Sequence, residues 1–138
     1  MEYDIVEQLK LHEGFKEYPY KDTEGVLTIG YGWNLEANGL PKDVCEELLE
    51  EKVYTLEKQL EKLEWYRDLN RVRQKVIIDM FYNLGNDLFE FEKMIRAIKE
   101  GDFERAAAEM EDSKWHDQVK TRAIRLEEMM RTGQDYKN

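Results

Sequence analysis

The stretch from Phe15 to Trp33 mixes aromatic and β-branched residues with Gly25, Gly30 and Gly32, and no other feature constrains the fold as strongly. Glycines at that density weaken a helix. Lys21-Asp22-Thr23-Glu24-Gly25 is turn chemistry and Val26-Leu27-Thr28-Ile29 has the character of a strand. A small antiparallel sheet is predicted there. Elsewhere apolar residues recur at intervals of three and four, the period of helices that bury one face. The expected class is α+β and mostly helical.

Ile5, Val6 and Leu9 fall at helical spacing before Gly14, so a first helix is predicted to end just past Glu13. The partial negative charge at a helix C-terminus disfavours an ionised carboxylate there. Pro41, tolerated in a first helical turn, opens the longest predicted helix, about 41–65, with Cys45, Leu49, Val53, Leu56, Leu60 and Leu63 on one stripe. That stripe is assigned to an intramolecular core, with Cys45 a buried thiol. Asn70 is a candidate cap for a helix closed by Gly85, Phe91 to Ile98 mark another, and Asp102 can cap the next. A last helix should run from about Val119 to Arg131 before Gly133. Trp65 and Trp115 are expected in the core or at the edge of a cleft.

At 138 residues the chain has the size of one domain. No internal repeat or linker is visible, so residues 1–138 are expected to form a single domain. It divides into a small β-containing lobe (about 14–40), the connecting helix (about 41–65) and a helical lobe (about 66–138) that takes in the N-terminal helix.

A formal net charge of -10 argues against nucleic acid, because neutralising phosphates needs a surplus of Lys and Arg. No stretch approaches the roughly 20 apolar residues of a membrane span, and the opening residues lack the order of a signal peptide. Neither stable membrane insertion nor an export signal is expected. Cys45 is alone, which excludes an internal disulfide, and His12 and His116 are too isolated for a metal site.

Three residues of the glycine-punctuated stretch could carry chemistry: Glu13 at a helix end, Asp22 in the turn that opens the sheet, and Thr28 on the returning strand. Two carboxyls flanking a glycosidic bond suffice for hydrolysis, one donating a proton to the leaving oxygen while the other activates water. A hydroxyl beside the second could hold that water. With 31 acidic residues in the chain, composition alone would not single out this pair.

Glu13-Gly14, Tyr20-Lys21-Asp22-Thr23-Glu24-Gly25 and Thr28-Ile29-Gly30-Tyr31-Gly32 strongly resemble the T-even phage lysozymes and related endolysins, a family of glycoside hydrolases. Looser likeness extends through Asn70-Arg71-Val72-Arg73, Phe81-Tyr82-Asn83-Leu84-Gly85, Ser113-Lys114-Trp115, Arg122-Ala123 and Arg131-Thr132-Gly133, so nearly the whole chain is covered. The resemblance implies a lysozyme-like fold and cleavage of the β-1,4 bond between N-acetylmuramic acid and N-acetylglucosamine in bacterial peptidoglycan, with no metal or organic cofactor. It makes Glu13 the general acid, Asp22 and Thr28 the groups that position water, and Arg122 an arginine that orients the acid. It further implies inversion, for which the two carboxyls should stand roughly 6.5–9.5 Å apart.

By the same resemblance Tyr82, Asn34, Met94 and Glu109 are substrate-binding positions; Asn83 and Tyr31 are candidate polar groups of the cleft, with packing on the sheet the other reading of Tyr31. Trp33 stands where the best-known member of the family has a histidine in an ion pair, so a packed or stacked indole is expected instead. Lys114, Lys120, Arg122, Arg125 and Arg131 form either a local positive rim or ordinary helix-surface charge. The expected biology is a monomer made in the host cytoplasm and released to the wall by a separate holin. Two other readings stay open: a lytic transglycosylase, which needs one acid and forms an anhydro-sugar, and a non-enzymatic helical interaction module using the 41–65 stripe.

Overall fold

The computed structural model describes residues 3–137. By backbone proximity the chain divides into two compact units, one through Leu48 and one from Leu49 onward.

In the first unit, α1 (Tyr3–Glu13) ends where predicted, at Gly14 with φ of 68°. Three strands follow in the order β1-β2-β3: β1 (Lys16–Lys21), β2 (Leu27–Gly30) and β3 (Trp33–Asn34), paired antiparallel. Tyr20 stands opposite Thr28, and Thr28 opposite Asn34. The first connection is closed by main-chain bonds from Asp22 N–H to the Val26 carbonyl and from Gly25 N–H to the Asp22 carbonyl, both 2.9 Å, with Gly25 at φ of 81°. A single helical turn, α2 (Leu35–Asn38), follows, capped by Asn34. Glu36 in that turn accepts the Leu27 N–H at 3.2 Å. Trp33 is not a packed indole: it is exposed, and its Nε1–H donates to the Gly39 carbonyl at 2.8 Å.

The long helix α3 (Lys42–Leu60) starts after Pro41 and stops short of the predicted end. Residues 64–67 form a separate turn, α4 (Glu64–Arg67), and Leu63 is its extended N-cap. The stripe is buried only at its C-terminal end, where Leu56 and Leu60 join the core and Val53 packs beside them. Cys45 is exposed rather than buried, and Leu49 is exposed too. Periodicity identifies a face but not how far along the helix that face is covered.

The second unit continues with α5 (Arg71–Leu84), a 3-10 segment (Gly85–Glu90), α6 (Glu92–Lys99), α7 (Phe103–Glu111), α8 (Lys114–Val119) and α9 (Thr121–Thr132). Its core holds Val76, Ile77, Met80, Met94, Met110 and Met130 among others, all nearly inaccessible to solvent. Each such side chain contributes roughly 1.5–3 kcal/mol by burial. Trp115 is buried, packs edge-on against Phe91 and donates its indole N–H to Asn83 Oδ1 at 2.8 Å.

Polar groups tie the helices together. Asn70 caps α5 by accepting the Arg73 N–H at 2.9 Å, and its amide donates to the Gly133 carbonyl. Such a cap is worth about 1 kcal/mol. Arg73 donates to the Met130 and Arg131 carbonyls, placing a cation at the negative end of α9. Between α3, α4 and α5, Glu57 accepts from the buried Tyr66 hydroxyl at 2.5 Å and from Arg71. The Arg71 guanidinium, with the Tyr66 hydroxyl, holds the Glu57 carboxyl below its ordinary range. At the α8–α9 joint Lys120 adopts φ of 31°, a left-handed backbone rare for a non-glycine residue.

Candidate functional site

In the first unit the predicted catalytic residues lie on the sheet and the helix end beside it. Glu13 is the last residue of α1, and its carboxyl packs against the backbone of Gly32, just before β3. A Cβ at Gly32 would stand 2.7 Å from the Glu13 carboxyl carbon, so a larger residue there requires the Glu13 side chain to move aside. Gly32 itself has φ of 65°, in the region that favours glycine.

Asp22 is half-buried and held by its own loop. Its Oδ1 accepts the N–H groups of Glu24 and Val26, both at 2.9 Å. Both bonds fall on one oxygen, so Oδ2 is unengaged among the described residues. Thr28 is buried, and its Oγ1 donates to the Val26 carbonyl at 2.8 Å. With its proton so committed, the hydroxyl keeps its lone pairs for accepting. Asp22 and Thr28 are therefore joined through one residue, Val26, whose carbonyl accepts from the Thr28 hydroxyl and whose N–H donates to Asp22.

Around them, Asn34 Oδ1 is used in capping α2 through the Ala37 N–H at 2.9 Å. Tyr31 is exposed, with Phe15 against its ring at 5.3 Å between centroids and Lys10 Nζ 5.7 Å from its centre.

In the second unit the expected substrate positions fall into two depressions. Tyr82, exposed, and Arg122 line one of about 430 Å³ together with Ile78 and Asp79. Arg122 is engaged by Asp79: Nε donates to Oδ1 at 2.7 Å, and a terminal amine reaches the same carboxylate at 2.6 Å and the Asp79 carbonyl at 3.2 Å. Met94 and Glu109 share the other, of about 310 Å³, with Phe91 and Ser113. Met94 is buried at its base and Glu109 is half-buried. Asn83 is occupied by the Trp115 indole.

Asp79 escaped the sequence reading, and so did the packing of Glu13 against Gly32. Asp79 lies three residues before Tyr82 on α5, so the two share a helix face, and that spacing was the available signal. The basic C-terminal residues are also answered by acids. Arg131 bonds Glu104 at 2.9 Å and Glu111 at 2.7 Å, and Arg122 bonds Asp79, so these two are ion-paired helix-surface charge rather than a free positive rim.

Among the described residues no group of three His, Cys, Asp or Glu side chains is disposed to hold a metal ion. No described helix is long and apolar enough to cross a membrane.

Residues 10–129 match the family model for phage lysozyme. The chain is 28% identical to a probable T4-type lysozyme 1 of Dictyostelium discoideum, over 94% of each chain. It is 28% identical to the pre-baseplate central spike protein Gp5 of Enterobacteria phage T4, over 94% of this chain and 28% of that protein. It is 26% identical to a SAR-endolysin of Bacteriophage PS119, over 71% of this chain and 60% of that one. The chain belongs to the phage lysozyme family and is a glycoside hydrolase of the muramidase type, with peptidoglycan as its substrate.

Proposed function

We propose that the protein adds water across the β-1,4 bond between N-acetylmuramic acid and N-acetylglucosamine, with inversion, using Glu13 as general acid and Asp22 with Thr28 to hold the water. The observation that carries this reading is the state of the two acceptors. Asp22 has one oxygen fixed by two backbone N–H groups and the other unengaged, while the Thr28 hydroxyl already donates its hydrogen bond to the Val26 carbonyl. A water donating one hydrogen to Asp22 Oδ2 and the other to Thr28 Oγ1 turns a lone pair outward, ready to attack an anomeric carbon. Asp22 then takes the proton that the attacking water loses, and Glu13 gives its proton to the departing sugar oxygen. Gly32 bounds the Glu13 carboxyl on one side, and the carboxyl oxygens accept from no described side chain.

Substrate contacts are proposed for Tyr82, whose exposed ring suits the apolar side of a sugar, and for Asn34, Met94 and Glu109. Met94 is covered, so its part is to shape the floor beneath Glu109. Arg122 is proposed to orient the acid. Its pairing with Asp79 occupies Nε and one terminal amine. The activity needs neither a metal nor an organic cofactor. We further propose a single-domain monomer that accumulates in the host cytoplasm and reaches the wall through a separate holin, to lyse the host.

A lytic transglycosylase would cut the same bond with one acid and no water. The Asp22 and Thr28 pair favours hydrolysis. Digesting purified peptidoglycan and identifying the new ends decides between them. A reducing N-acetylmuramic acid released first as the α-anomer supports inversion by water, and a 1,6-anhydro end overturns it.

A further inference from the structure

The second unit carries a depression of about 770 Å³ bordered by Trp65, Leu69, Phe103, Asp68 and Glu100. Trp65 is half-buried at the edge of the core. Its indole N–H differs from those of the other two tryptophans. Trp33 donates to the Gly39 carbonyl and Trp115 to Asn83, whereas Trp65 has no acceptor among the described residues. A half-buried aromatic with a spare donor, set among carboxylates and apolar walls, has the chemistry that a sugar ring requires: a flat apolar face, and polar groups at its edge for hydroxyls and amides.

The depression also has a neighbour with which it shares a lining residue. Glu100 borders both it and a polar cleft of about 310 Å³ between α6 and α7, where Lys93 and Arg105 also stand. Lys93 in turn borders the depression of Met94 and Glu109. The three depressions lie along the α6–α7 pair and neighbours share a lining residue, Glu100 in one case and Lys93 in the other. An extended polymer can engage neighbouring depressions of this kind, whereas a compact ligand would fill only one.

We propose that the Trp65 depression is a second saccharide-binding site, taking a distant sugar of the same glycan strand that passes Glu109. This rests on the reading of the protein as a peptidoglycan hydrolase and adds to it a preference for long strands. Trp65 stacks on the sugar and donates its N–H, Glu100 and Asp68 accept from hydroxyls, and the Lys93–Arg105 stretch carries the strand between the two ends.

The test uses Glu13→Gln protein, sedimented with purified peptidoglycan sacculi, alone and with Trp65→Leu or Glu100→Ala added. Trp65→Leu keeps an apolar side chain against the core, and Glu100→Ala changes an exposed residue should the first variant fold poorly. Each added substitution is expected to weaken retention about fivefold, the scale of one lost aromatic or polar contact. The same loss should appear on glycan strands stripped of their peptides. Unchanged retention by both variants overturns the site, as does a loss that disappears on stripped strands, which would assign the contact to peptide. Failure of the hydrolase reading shows separately, as sacculi that wild-type protein leaves uncut.

Discussion

The carboxyl of Glu13 rests against the α-carbon of Gly32, so close that a methyl group at Gly32 would stand 2.7 Å from the carboxyl carbon. Gly32→Ala should displace the acid and lower kcat by about 10²-fold, the scale at which an ångström of misplacement is felt. Gly30→Ala is the matching control. Gly30 shares the φ of 65° but has open space where its Cβ would be. Both variants should lose about 1 kcal/mol of stability to the left-handed backbone, and only Gly32→Ala should lose most of its turnover. Thermal melts alongside steady-state rates on soluble peptidoglycan fragments separate the two effects.

Asp22 has two duties that substitution can divide. Asparagine at this position can still accept the Glu24 and Val26 N–H groups, so Asp22→Asn should melt like the wild type while kcat falls about 10²-fold or more and KM changes little. Asp22→Ala removes the turn bonds as well and should cost a further 1–2 kcal/mol, roughly, in chemical denaturation. Equal stability of the two variants would show that the carboxylate does not organise the loop.

His116 and Glu127 link α8 to α9 across the strained Lys120 joint, with Nδ1 and Oε2 2.6 Å apart. The hydrogen bond to Glu127 raises the His116 pKa above the ordinary 6.5, while burial raises that of Glu127. Glu111 and Asp117 add negative charge nearby, and Arg131 opposes them at Glu127. Both groups bind a proton more firmly in the folded protein. The stability from His116 is thus complete below pH 6.5 and lost as pH rises through its higher folded value, and Glu127 works in the same direction. The wild-type melting temperature should fall across that window more steeply than that of His116→Asn. Parallel profiles for the two proteins would remove the pair from the account.

The helical part of the fold was legible because its stops are chemical. Asn70 and Asp102 cap where their side chains predict, and Gly85 and Gly133 end their helices. The end of α3 was misplaced because Leu63 keeps the helical period while its backbone has already turned extended to cap α4. Cys45 was misjudged for a related reason: spacing marks a stripe and not the extent of its cover. In the candidate site, chain order around a turn made Asp22 and Thr28 candidates, and the resemblance to the phage lysozymes singled them out. The closeness of Glu13 to Gly32 is a contact between side chain and backbone, which leaves no periodic mark. The pairing of Arg122 with Asp79 joins positions 43 residues apart and could not be read from either helix alone.

The central claim is that position 13 supplies the proton. The most direct measurement is the clearing rate of outer-membrane-permeabilised Gram-negative cells by Glu13→Gln, with circular dichroism confirming that the variant is folded. Glutamine keeps the size of the side chain and removes the acid, so the account predicts loss of clearing with the fold intact. Substantial clearing by the folded variant would contradict it.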